Sequence, residues 1–164
     1  GLKTKGFDPA GCRALVVGSG GVGRAITASL AAAGVASLTL FDVDDASAQG
    51  LASRVREHYP RVQVQTGSRD PAGHDLVVNA TPLGMNEGDP MPFDVQRLSA
   101  STFVGEVVMK RETTPLLAAA QALGCRVQVG TDMLYEQIPA YLEYFGLPTT
   151  TAAELRRLSQ VSYA

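Results

Sequence analysis

Residues 16–23 read Val-Val-Gly-Ser-Gly-Gly-Val-Gly, a glycine-rich turn between an apolar run and an alanine-rich helical pattern. Gly18, Gly20 and Gly23 keep the G-x-G-x-x-G spacing used by dinucleotide-binding folds. Each position has a mechanical reason. The first glycine permits the tight turn, the second lets a pyrophosphate approach the backbone, and the third lets helix and strand pack closely. The helix that follows, roughly 22–33, aims its free N–H groups and positive dipole end at the phosphates. In a chain with 17 glycines the spacing alone says little. Its weight comes from context: Arg13-Ala-Leu-Val-Val17 reads as a strand before it, and Gly34 as a helix stop after it. Gly18, Ser19, Gly20, Gly21, Val22 and Gly23 are the expected phosphate cradle, with a ligand-free strand–turn–helix as the ordinary alternative.

Short apolar runs alternate with helical patterns along the chain, as in a parallel sheet covered on both faces. Strands are expected at 14–18, 37–42, 62–65, 75–79, 102–108 and 126–129. Helices are expected near 22–33, 45–58, 94–99, 114–123, 132–145 and 152–160. The predicted fold is α/β, a Rossmann-like doubly wound parallel sheet of about six strands in one domain over 1–164. At 164 residues, such a domain buries roughly 70% of its unfolded surface. A net charge of −2 gives no basic footprint for nucleic acid. No apolar run approaches the ~18 residues that span a bilayer. Cys12 and Cys125 lie far apart without metal-ligand spacing, which suits free thiols and a cytoplasmic setting, and no metal site is expected.

A Rossmann domain selects its cofactor at the end of its second strand, about 20 residues past the glycines. Here that point reads Leu40-Phe41-Asp42-Val43-Asp44-Asp45. Asp42 is placed to accept hydrogen bonds from the adenosine ribose hydroxyls of NAD, while Asp44 and Asp45 read as caps of the next helix. A 2′-phosphate would meet carboxylates with no Lys or Arg before Arg54. At ~4 Å and an effective dielectric of about 20, each like-charge pair costs roughly 4 kcal/mol. That exceeds the ~1.5–3 kcal/mol of a compensating charged hydrogen bond. The expected cofactor is therefore NAD rather than NADP.

Asp75-Leu-Val-Val-Asn-Ala-Thr-Pro-Leu-Gly-Met85 reads as a buried strand and a loop leaving the sheet at its carboxyl edge, where open α/β sheets bind ligands. Asn79 and Thr81 offer hydrogen bonds there, Pro82 and Gly84 set the path, and Met85 offers a soft apolar surface to a flat ring. Turn chemistry without a ligand explains the same residues equally well.

The glycine turn, Asn79-Ala-Thr-Pro-Leu-Gly-Met85, Thr114-Pro-Leu-Leu117 and Gly130-Thr-Asp-Met-Leu-Tyr-Glu-Gln137 occur in the order seen in shikimate dehydrogenases. Over nearly its whole length the chain resembles the C-terminal, cofactor-binding part of a shikimate or quinate dehydrogenase. Such enzymes transfer hydride between a nicotinamide cofactor and the ring carbon at which 3-dehydroshikimate and shikimate interconvert. The resemblance implies that Gly18 to Val22 cradle the pyrophosphate and that Asn79, Thr81 and Met85 line the nicotinamide side. It also implies that Gly130 touches the carboxamide and that Gln137 reaches a cyclitol carboxylate substrate from the start of its helix.

Three departures accompany it. Asp42-Val-Asp44 stands where NADP-binding members carry an Asn-Arg-Thr-like run. Glu106-Val-Val-Met109 stands where the family commonly has Asp-x-x-Tyr, so a thioether at Met109 replaces a substrate-facing hydroxyl. The family's catalytic Lys and Asp belong to an N-terminal domain, so no catalytic residue is expected in this chain. His58 and His74 read as solvent-exposed rather than as an acid–base pair. The closing helices over 132–164 pack on that N-terminal domain in the family. Their stripe of Ile138, Tyr141, Leu142 and Phe145, with Leu155 and Leu158, is expected to drive self-association, with plain coverage of this sheet as the alternative, and Pro139 to kink or delay the helix. The alternative function is a non-enzymatic dinucleotide-binding regulatory module.

Overall fold

A computed structural model describes residues 1–159. Six parallel strands form one sheet: β1 (Arg13–Val17), β2 (Ser37–Phe41), β3 (Gln63–Thr66), β4 (Leu76–Asn79), β5 (Phe103–Glu106) and β6 (Arg126–Gln128). Their order in space is β3-β2-β1-β4-β5-β6, with β1 pairing β2 on one side and β4 on the other. The chain winds outward through β2 and β3, then crosses back to place β4 beside β1. The switch point of a doubly wound sheet therefore lies between β1 and β4.

Both faces of the sheet are apolar because both are covered. Ala14, Val16, Leu38, Leu40, Leu76 and Val78 pack beneath α1 (Gly21–Ala32) and α2 (Asp45–His58). Leu15, Val17, Val77 and Val104 point the other way, against Leu116, Leu117 and Ala120 of α3 (Pro115–Ala122). This is why the central strands read as continuous apolar runs rather than alternating ones. Burying each of these larger side chains contributes about 1.5–3 kcal/mol. β3, at the sheet edge, alternates exposed and half-buried positions instead.

Several boundaries differ from expectation. The helix expected at 94–99 is a single 3-10 turn, Val95–Arg97, capped by Asp94 accepting from the Gln96 N–H. β5 ends at Glu106, short of 108. α4 (Gly130–Tyr144) begins two residues early and runs through Pro139 without a break. α5 (Ala152–Leu158) is shorter than 152–160, whose last residue lies outside the described part. His58 is exposed as expected, but His74 is half-buried, its Nε2 3.0 Å from Thr39 Oγ1 and its Nδ1 3.3 Å from the Pro71 carbonyl.

Candidate cofactor site

The glycine turn leaves β1 at the switch point. Gly18 has φ +107, and a Cβ there would lie 2.7 Å from the Ala80 carbonyl, so the turn rests directly on the loop that leaves β4. A Cβ on Gly23 would lie 2.0 Å from the Gly18 oxygen; this glycine is where α1 closes onto the turn. Gly20 and Gly21 are different: nothing lies within 4 Å of an added Cβ at either. Their space is open, and Gly20 caps α1 with no side-chain bond, leaving the first-turn N–H groups free for an anion. The Arg24 guanidinium donates to the Ser19 carbonyl at 2.9 Å and pins the turn from outside. The Ser19 hydroxyl is buried without a hydrogen-bond partner.

Asp42 lies just past β2. Its Oδ2 accepts from the Ser19 N–H at 2.6 Å and its Oδ1 from the Asp44 N–H at 3.0 Å, which joins the acidic corner to the glycine turn. Asp44 caps α2, although its carboxylate accepts from Ser47 Oγ rather than from backbone, and Asp45 sits in the first turn. A cation that precedes the acidic run in the sequence, Arg24, bonds the carbonyl of the same Ser19 from whose N–H Asp42 accepts. Arg69, following β3, lies 5.6 Å from the centroid of the Phe41 ring. Only the order of strands brings it there; spacing along the chain carries no sign of it.

In the β4 exit loop, fully buried Asn79 donates to the Leu83 carbonyl at 3.0 Å and accepts from both the N–H and the hydroxyl of Thr81. Thr81 Oγ1 accepts in turn from the Leu83 N–H, and Asp89 Oδ2 accepts from the N–H groups of Gly84 and Asn86. These bonds are the turn chemistry the sequence left open. They shape a loop that presents Met85 at 40% exposure.

α4 meets this edge at Gly130, where an added Cβ would fall 2.1 Å from the Val108 oxygen, so the helix start lies against the β5 exit. Gln137 sits two turns into α4, not at its start, and lines a cleft of about 430 Å³ with Val22, Val107, Met133 and Glu136. Met109 is nearly half exposed and does not line that cleft.

No family model matches the chain. The shikimate dehydrogenase (NADP(+)) of Geobacter sulfurreducens is 38% identical over 146 residues, 84% of this chain and 51% of that protein. The quinate/shikimate dehydrogenase (NAD(+)) of Corynebacterium efficiens is 39% identical over 137 residues, 80% of this chain and 48% of that protein. Among solved structures, ligand-free 5-ketofructose reductase of Gluconobacter sp. strain CHM43 superposes with a TM-score of 0.84 at 30% identity, over 95% of this chain and 58% of that one.

The curated relatives this chain matches are shikimate and quinate dehydrogenases.

It spans about half the length of the curated relatives it matches. Within this domain the residues fit a dinucleotide: open backbone at Gly20 and Gly21, an uncapped helix start, and a carboxylate at the end of β2. Among the described residues no cluster of His, Cys, Asp and Glu could hold a metal, and no helix is long and apolar enough to cross a membrane.

Two acidic groups of the domain stand out. Glu106, the last residue of β5, is 4% exposed, and neither of its oxygens makes a hydrogen bond. Burial pushes its pKa up from the ordinary 4.5, while the nearby Thr114 hydroxyl and Asn79 amide pull more weakly downward. Asp132, also buried, is neutralised from two sides. Lys5 Nζ lies 2.8 Å away, in an ion pair without hydrogen-bond alignment, and Arg156 reaches it at 3.2 Å and Glu136 at 2.9 Å. That cluster ties the N-terminal segment and α5 to α4.

Proposed function

We propose that this chain binds NAD through the turn Gly18–Gly23 and Asp42, as the cofactor-holding part of a dehydrogenase. The pyrophosphate lies over Gly20 and Gly21, the ribose against Asp42, and the nicotinamide toward Thr81, Met85, Gly130 and the loop that Asn79 shapes. The observation that carries this is the bond between Asp42 and Ser19, which puts a carboxylate at the corner where a 2′-phosphate would sit. Relatives that use NAD and NADP both occur, so the cofactor is decided by titration. NADH is expected to bind at least tenfold tighter than NADPH, about 1.4 kcal/mol. Equal or tighter binding of NADPH would sink the Asp42 argument.

The whole protein is proposed to reduce 3-dehydroshikimate or to oxidise quinate, in the cytoplasm. The nicotinamide supplies or receives the hydride. This chain holds the cofactor, closes one wall of the cleft and offers Gln137 to a hydroxyl of the substrate. Proton transfer needs a positioned acid–base group. Neither histidine provides one: His58 is exposed on α2, and both nitrogens of His74 are engaged away from the cleft.

A second reading, a reductase of a polyhydroxy ketone, is favoured by the likeness to 5-ketofructose reductase. Assaying the full-length polypeptide with shikimate, quinate and 5-ketofructose separates the two: turnover of the ketose alone would overturn the cyclitol reading.

A further inference from the structure

Glu106 is the one acid at this edge that the assignments above leave without a task. Its carboxyl is buried at the carboxyl end of β5, and the side chains that influence its charge state are uncharged: Asn79 from β4 and Thr114, the cap of α3. The charged groups on neighbouring elements are committed elsewhere or exposed. Glu136 of α4, on the same cleft, is paired with Arg156. Asp132 at the start of α4 is held by Lys5 and Arg156. Lys110, beyond β5, is exposed and reaches Asn86 at 3.4 Å, and Lys3 at the far wall is exposed. A buried carboxylate with no cation is costly, and a cationic ligand beside it recovers part of that cost. The dinucleotide reading brings such a cation, because the nicotinamide ring is positively charged when oxidised and neutral when reduced.

We propose that Glu106 is a redox-linked acid: it is ionised when NAD⁺ occupies the site and takes a proton from solvent when NADH replaces it. The inference rests on the dinucleotide reading and on the placement of the nicotinamide at the loop that Asn79 shapes. By linkage, raising the pH favours the ionised carboxyl and therefore NAD⁺ over NADH.

The test is equilibrium binding. NADH is titrated by its fluorescence and NAD⁺ by competition, at about pH 6 and about pH 8.5, with the parent protein and with Glu106→Gln and Glu106→Asp. In the parent, the ratio Kd(NAD⁺)/Kd(NADH) is expected to fall about tenfold across this range. E106Q should give a flat ratio, while E106D should keep the dependence with a moved midpoint. A flat ratio in the parent, or an unchanged dependence in E106Q, overturns the proposal while leaving cofactor binding intact. Should E106Q fail to fold, the parent and E106D decide, and a flat ratio in either overturns it. If neither nicotinamide cofactor binds the parent, the dinucleotide reading falls and this inference with it.

Discussion

Asp42 accepts backbone hydrogen bonds at both carboxylate oxygens, and one donor is the second residue of the glycine turn. Removing its charge therefore changes two things: the repulsion a 2′-phosphate meets and the anchoring of Ser19. Asp42→Asn is expected to weaken NADH about tenfold and to strengthen NADPH, with fluorescence titration as the measurement. Glu106 gives a second prediction, in stability. Its folded pKa is raised, so the folded protein keeps a proton that the unfolded chain has lost. Stability from this group is full below the unfolded value of 4.5 and falls as pH rises toward the folded value. In the cofactor-free protein, the melting-temperature advantage of Glu106→Gln over the parent should thus grow from about pH 4 upward and level off above the folded pKa. An advantage that shrinks with rising pH would contradict the assignment.

Among the elements, α3 illustrates a local signal that the structure reproduces. Thr114-Pro-Leu-Leu117 puts a capping hydroxyl before a proline at the first helical position, and Thr114 Oγ1 accepts from the Leu117 N–H. Thr114→Ala should cost about 1 kcal/mol in urea unfolding. The central strands were equally legible, since apolar runs bounded by glycine and proline leave few alternatives. The segment over 94–99 was not. Asp94 offers the same capping chemistry, but Val95–Arg97 makes one 3-10 turn and then the backbone at Leu98 turns extended. The start of α4 was missed for another reason. Gly130 and Thr131 look like loop, and only the close approach to Val108 shows why a glycine opens a helix there. Site residues followed the same division. Gly18, Gly23 and Asp42 announce themselves by spacing, whereas the approach of Arg69 to the Phe41 ring comes only through strand order.

For the molecule as a whole, charge and apolar surface are unevenly spent. Lys5, Asp132, Glu136 and Arg156 hold the chain's first residues and its last described helix to α4. Beyond that clamp, Tyr144 is 83% and Phe145 70% exposed. Exposed aromatic clusters of this kind mark contact surfaces, and we propose that the chain self-associates through them. The double change Tyr144→Ser, Phe145→Ser should lower the mass seen by light scattering at high concentration while leaving NADH binding within about twofold. A monomeric parent at that concentration would refute it.

The direct contact between Gly18 and Ala80 has a bearing on how such a protein can change over time. It joins two halves of the sheet through main-chain atoms alone, so the join places no demand on side chains beyond the glycine itself. β2, which ends just before the residue proposed to choose the coenzyme, and β5, whose exit lies against the helix bearing the proposed substrate contact Gln137, lie on opposite sides of that seam. Each side is free to drift under its own selection, which fits relatives that share this half of the chain yet differ in both coenzyme and substrate.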